Sequence, residues 1–107
     1  MEVQSYTAEE LFDWVTQPGH DFTLLDVRNN EEFGRFKVEG PHLSKILNLP
    51  YIEFIEKEEE TVDQFQVSKA ESIRIVCAKE GSAKYVGVIL LKNGWQDVKI
   101  LEKGIKS

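Results

Sequence analysis

The chain has 107 residues, 41% of them hydrophobic, and a formal net charge of −6. That is enough for one domain with its own core, and too acidic for nucleic acid or an anionic membrane as main partner, since phosphate binding needs clustered basic side chains. No apolar run approaches the roughly 18–20 residues that span a bilayer, residues 1–12 lack the basic-then-apolar order of a secretory signal, and the single cysteine, Cys77, cannot form an internal disulfide; together these set the expectation of a cytoplasmic location.

Thr7-Ala8-Glu9-Glu10 is a capping-box sequence. Leu11, Trp14 and Val15 recur at helical spacing after it, and Pro18-Gly19 predicts a stop near Gln17. Residues 22–27 form a short apolar run that reads as a buried strand. Asn29 is a candidate cap for a short helix over 31–36, and Gly40-Pro41 breaks the chain. Residues 42–47 show no clear period, and 48–50 fit a brief strand. Helical pieces are expected over 51–57 and 61–67, separated by Glu58-Glu59-Glu60, read as a solvated run. Residues 72–77 are a second buried strand. A helix starting near Ser82 puts Ala83, Val86, Leu90 and Leu91 on one face and ends at Asn93-Gly94. Residues 98–101 complete the strands, and 102–104 form a turn. Strands alternating with helices predict an α/β domain with a mostly parallel sheet, whose strand-to-helix loops lie outside the carboxyl ends of the strands, where ligands bind.

Cys77 falls at such a position. A thiol is a weak nucleophile until ionised, and a helix N-terminus or a nearby cation favours the thiolate. The loop Ala78-Lys79-Glu80-Gly81-Ser82 has the length to curl over the sulfur and present backbone N–H groups to a thiolate, a persulfide or an incoming oxyanion. Gly81 would supply a positive φ, and Lys79 a cation. Spacing alone leaves Cys77 open between nucleophile and inert packing, because free cysteines are commonly buried.

The order of motifs adds a resemblance. Leu24-Leu25-Asp26-Val27-Arg28 followed by Glu31-Glu32-Phe33, Gly40 leading to Asn48-Leu49-Pro50, Ile75-Val76-Cys77, Leu91-Lys92-Asn93-Gly94-Trp95 and a 98–104 segment ending in Gly104 resemble, over nearly the full length, a rhodanese domain. The resemblance implies a three-layer rhodanese-like α/β fold with a central, mostly parallel sheet of about five strands flanked by helices. It implies a sulfurtransferase in which Cys77 carries the sulfur as a persulfide and Ala78, Lys79, Glu80, Gly81 and Ser82 bind the substrate, with no metal and no organic cofactor. The implied partners are small-molecule sulfur donors and acceptors: thiosulfate, persulfides and thiols. The loop reads CAKEGS where many family members carry two arginines; only Lys79 is cationic and Glu80 opposes it, so dianionic thiosulfate should bind less well than to an arginine-rich loop.

CAKEGS and the opening VQSYTAEEL resemble the N-terminal rhodanese domain of bacterial proteins fused to a metallo-β-lactamase-like persulfide dioxygenase. That implies a single rhodanese-like domain over 1–107, either excised from a longer chain or a short form, with a fused or separate metallo-β-lactamase-like partner. A phosphatase of similar fold would need an arginine six positions after the cysteine; Ala83 stands there. A docking or relay module without catalysis is the other alternative, against which the presence of Cys77 counts. Asp26 and Arg28 are expected to act structurally near the site, Arg28 pairing with a carboxylate such as Glu32 and Asp26 with backbone amides. His20 and His42 lack the neighbouring ligands of a zinc site.

Overall fold

A computed structural model describes residues 2–105; Met1, Lys106 and Ser107, at the limits of the expected domain, lie outside it. The elements run β1 Gln4–Tyr6, α1 Ala8–Thr16, β2 Thr23–Asp26, α2 Asn30–Arg35, β3 Ile46–Asn48, α3 Tyr51–Glu56, α4 Glu58–Asp63, β4 Ser72–Val76, α5 Glu80–Lys92 and β5 Asp97–Leu101. The sheet has five strands in the order β1-β5-β4-β2-β3, every pairing parallel.

Strand alternation divides the core in two. Leu24 and Val76 face α1, where they meet Tyr6, Leu11, Val15 and Phe22. Leu25, Ile73, Ile75, Val98 and Ile100 face the opposite side, covered by Val86, Ile89 and Leu90 of α5, with Phe54 from α3 and Trp95. This is the expected three-layer α/β arrangement. The Trp95 indole donates to the Val67 carbonyl at 2.9 Å, and the Tyr6 hydroxyl to the Ile75 carbonyl at 2.9 Å, so both buried aromatics keep their polar tips satisfied. Burial pushes the Tyr6 hydroxyl far above the ordinary tyrosine range, against the opposing pull of Arg74.

Several boundaries differ from expectation. β1 is an additional strand: Gln4-Ser5-Tyr6 has no apolar run, but its backbone extends the sheet beside β5. The brief third strand lies at Ile46–Asn48 instead of 48–50. Glu58-Glu59-Glu60 is the first turn of α4, not a spacer, because carboxylates are favoured at the positive end of a helix. Helix α5 begins at Glu80, before Ser82, and Gly81 is not among the residues with positive φ. Gly40 is packed against α1 so closely that a Cβ there would sit 2.5 Å from the Val15 carbonyl oxygen, and the His42 N–H donates to that same oxygen at 3.0 Å. Among the described residues no helix is long and apolar enough to cross a membrane.

Candidate active site

Parallel pairing sets Asp26 in register with both Asn48 and Val76. The residues that follow them therefore emerge side by side at one edge of the sheet. Backbone hydrogen bonds lock this row: Val27 N–H donates to the Val76 carbonyl at 2.9 Å, Leu49 N–H to the Asp26 carbonyl at 3.0 Å, and Tyr51 N–H to the Val27 carbonyl at 2.8 Å. The Asn48 carboxamide ties two of the loops together, donating to the carbonyls of Asp26 and Arg28 at 3.0 Å each.

Between these loops lies a cavity of about 360 Å³ lined by Arg28, Asn29, Glu32, Pro50, Tyr51, Ile52, Cys77, Ala78, Lys79 and Ser82. Cys77 is 4% exposed, packed from the sheet side against the core, and its remaining surface belongs to this cavity. A larger groove of about 630 Å³ runs along β3 and α4, but its walls, such as Asn48, Glu53, Thr61 and Phe65, include no nucleophile with an activating partner. Of the two, the smaller cavity is the one that holds the thiol.

The backbone around Cys77 supplies the donors. Among the described residues, the N–H groups of Ala78, Lys79, Glu80, Gly81 and Ser82 donate to no protein acceptor, and the first helical bond of α5 runs from Ala83 N–H to the Lys79 carbonyl at 3.4 Å. These free amides sit at the positive end of a helix spanning Glu80–Lys92. Cys77 Sγ itself accepts no hydrogen bond from the described residues, so the loop does not wrap the sulfur as expected. Its amides are left without a protein acceptor, the kind of donor set that can bind an anion.

The expected substrate-binding residues divide. Ala78, Lys79 and Ser82 line the cavity; Glu80 and Gly81 do not. The Glu80 carboxylate accepts the Lys103 N–H at 2.8 Å, and Gly81 borders a groove formed with Glu58, Lys84 and Tyr85. Asp26 and Arg28 form a fully buried pair, with the guanidinium Nη2 2.7 Å from the carboxylate, reinforced by Nε and by the Arg28 N–H at 3.0 Å. Arg28 thus pairs with Asp26 and not with Glu32. Nη2 also donates to the Phe36 carbonyl at 2.5 Å. The hydrogen bond to Asp26 raises the Arg28 guanidinium above its already high ordinary range, with burial opposing and the charges of Glu32 and Cys77 adding. Pro50 closes the Asn48-Leu49-Pro50 motif, whereas Tyr51 and Ile52 belong to none, and the topology brings all three to the cavity. His20 lies at the opposite region beside Asp13 and Trp14.

A parallel α/β sheet with a lone cysteine ending a central strand at the mouth of a free-amide loop defines the class: a small cysteine-loop domain. The sequence profile of the Rhodanese-like domain matches residues 7–107, and the chain belongs to that family. No curated protein matches it significantly. Among solved structures it is similar to a NAD-dependent persulfide reductase from A. fulgidus (25% identity, TM-score 0.64), covering 95% of this chain but only 15% of that one. It is also similar to the single-domain sulfurtransferase of Saccharomyces cerevisiae (23% identity, TM-score 0.73, 98% and 87% of the two chains). A protein from Staphylococcus saprophyticus shares the fold at 20% identity and TM-score 0.73, over 95% and 89%.

Proposed function

We propose that this protein is a sulfurtransferase that carries sulfane sulfur as a persulfide on Cys77. The observation that carries this reading is the cavity itself: a strand-terminal thiol lines it together with Ala78, Lys79 and Ser82, whose N–H groups have no protein acceptor. Membership of the rhodanese-like family supports it, as does the similarity to a yeast sulfurtransferase and to a persulfide reductase.

In the first half-reaction the Cys77 thiolate attacks the outer sulfur of the donor. A new Sγ–S bond forms, the donor S–S bond breaks, and its electron pair leaves with a thiolate or sulfite. The outer sulfur now carries the negative charge, and the loop amides stabilise it as they would an oxyanion. In the second half-reaction a nucleophile such as cyanide, sulfite or a thiol takes that sulfur and returns the electron pair to Cys77. No net oxidation occurs and no metal or organic cofactor enters.

Charge around the cavity selects the donor. Arg28 is neutralised by Asp26, and the cavity lining holds one carboxylate, Glu32, and one ammonium, Lys79, so the charged walls sum to about zero. A dianion such as thiosulfate gains little there, whereas an organic persulfide meets apolar wall from Pro50, Tyr51 and Ile52. Persulfides of small thiols are therefore the preferred donors. Steady-state transfer to cyanide with thiosulfate, glutathione persulfide and coenzyme A persulfide tests the reading. A persulfide should exceed thiosulfate in kcat/KM, and Cys77→Ser should reduce every rate to background; turnover that survives in Cys77→Ser would remove Cys77 from the mechanism.

A further inference from the structure

The turn that follows β5 grips the back of the cysteine loop. Ile105 N–H donates to the Cys77 carbonyl at 2.7 Å, and the Lys103 N–H to the Glu80 carboxylate at 2.8 Å. Gly104 has φ +74, and a Cβ on it would run into the Ala78 carbonyl oxygen and lie 3.1 Å from the Cys77 carbonyl oxygen. Lys103 also takes a positive φ of 67, the one non-glycine residue among those described that does so. A left-handed non-glycine residue is backbone strain that surrounding contacts must hold in place. Residues 103–105 line no part of the cavity.

Peptide geometry turns these contacts into a statement about the amides. No peptide bond among the described residues is cis, so each N–H points opposite the carbonyl of its own peptide unit. The Cys77 and Ala78 carbonyls both face the 104–105 turn. The N–H groups of Ala78 and Lys79 must then face away from that turn, and both residues line the cavity, which residues 103–105 do not. They are among the amides left without a protein acceptor.

We propose that Gly104 is a positioning residue for sulfur transfer: the Lys103-Gly104-Ile105 turn pins the carbonyls of Cys77 and Ala78 on the outer side of the loop and so aims the Ala78 and Lys79 amides at the charge on the transferred sulfur. The proposal rests on the sulfurtransferase reading but not on the identity of the donor. Gly104 touches neither thiol nor substrate. It acts because only a residue without a Cβ lets the turn approach the loop this closely.

The probe is a pair of alkylating agents acting on Cys77 in the full chain. Iodoacetate and iodoacetamide lose the same iodide to the same thiolate and differ in carrying a carboxylate or a neutral amide. Their rate ratio therefore reports anion binding by the loop, with thiol ionisation and access divided out. Gly104→Ala should lower the iodoacetate-to-iodoacetamide ratio roughly tenfold, the effect of losing one charge-assisted hydrogen bond. Gly40→Ala, which forces a comparable clash against Val15 far from the loop, should lower the melting temperature and leave the ratio unchanged. An unchanged ratio in folded Gly104→Ala would overturn the proposal. Should that variant not fold, exposed Glu80 decides: Glu80→Gln keeps an oxygen for the Lys103 N–H and removes the charge, while Glu80→Ala removes both. A lower ratio in the alanine than in the glutamine variant supports the tether, and equal ratios overturn it. Wild-type protein that takes up no sulfur yet shows these shifts would refute sulfur transfer and leave the positioning role standing.

Discussion

Replacing Arg28 by methionine isolates the carboxylate beneath the site. Asp26 is 0% exposed and Arg28 3%, so neither can exchange its partner for water. Loss of the guanidinium removes the donations from Nε and Nη2 and the one to the Phe36 carbonyl, leaving Asp26 only the N–H of residue 28. Breaking one side of a buried ion pair costs about 3–5 kcal/mol. For a domain of this size, with a total stability of about 5–15 kcal/mol, that lowers the melting temperature by roughly 12–20 °C. Urea denaturation followed by circular dichroism measures it. The double variant Asp26→Asn/Arg28→Met should lose markedly less than the sum of the two single variants, because the second change removes the orphaned charge left by the first. A loss below about 1 kcal/mol for Arg28→Met, the value of a solvent-exposed pair, would refute the account of these loops as held by a desolvated charge.

Two further outcomes concern charge. The hydrogen bond from Arg74, helped by Ser72, holds the Asp97 carboxyl below the ordinary aspartate range, against a smaller opposing effect of burial. A depressed folded-state value contributes stability that is complete above the unfolded value of about 4 and is lost as pH falls through the folded value; urea midpoints at acid and neutral pH should therefore converge in Asp97→Asn, and a wild-type-like acid loss in that variant would exclude this pair as its source. Ala78→Arg places one cation in the cavity wall without removing another. At a separation of about 6 Å in a water-like dielectric its attraction for a dianion amounts to about 1.4 kcal/mol, or tenfold. Thiosulfate turnover at low ionic strength should gain by that order relative to a persulfide of an uncharged thiol, and equal gains for both donors would contradict the charge explanation of donor choice.

Much of the architecture was legible because local chemistry and tertiary structure agree. Thr7 and Glu10 exchange the reciprocal hydrogen bonds of the capping box at 3.1 and 2.9 Å, and Asn29 caps α2 through Glu32 N–H at 2.8 Å. The strands over residues 22–27 and 72–77 were visible as apolar runs because both are buried on two faces. Elements without such signatures were misplaced. Lys79, the cap of α5, makes no side-chain cap bond, so nothing in the sequence announced a helix at Glu80. With the helix starting there, Gly81 is helical and the left-handed glycine near the loop is Gly104, which approaches from the other end of the chain. Contacts of that kind depend on strand order, which spacing does not encode. The same holds for Arg28, whose choice of Asp26 over Glu32 follows from the carboxylate being buried at a strand end.

The most direct measurement of the central claim is the intact mass of the protein after brief incubation with glutathione persulfide, and again after addition of cyanide. A single adduct of about 32 Da, localised to Cys77 and discharged by cyanide with formation of thiocyanate, is the expected result. Protein that keeps its unmodified mass under both persulfide and thiosulfate, while its thiol still reacts with iodoacetamide, would contradict a sulfur-carrying role for Cys77.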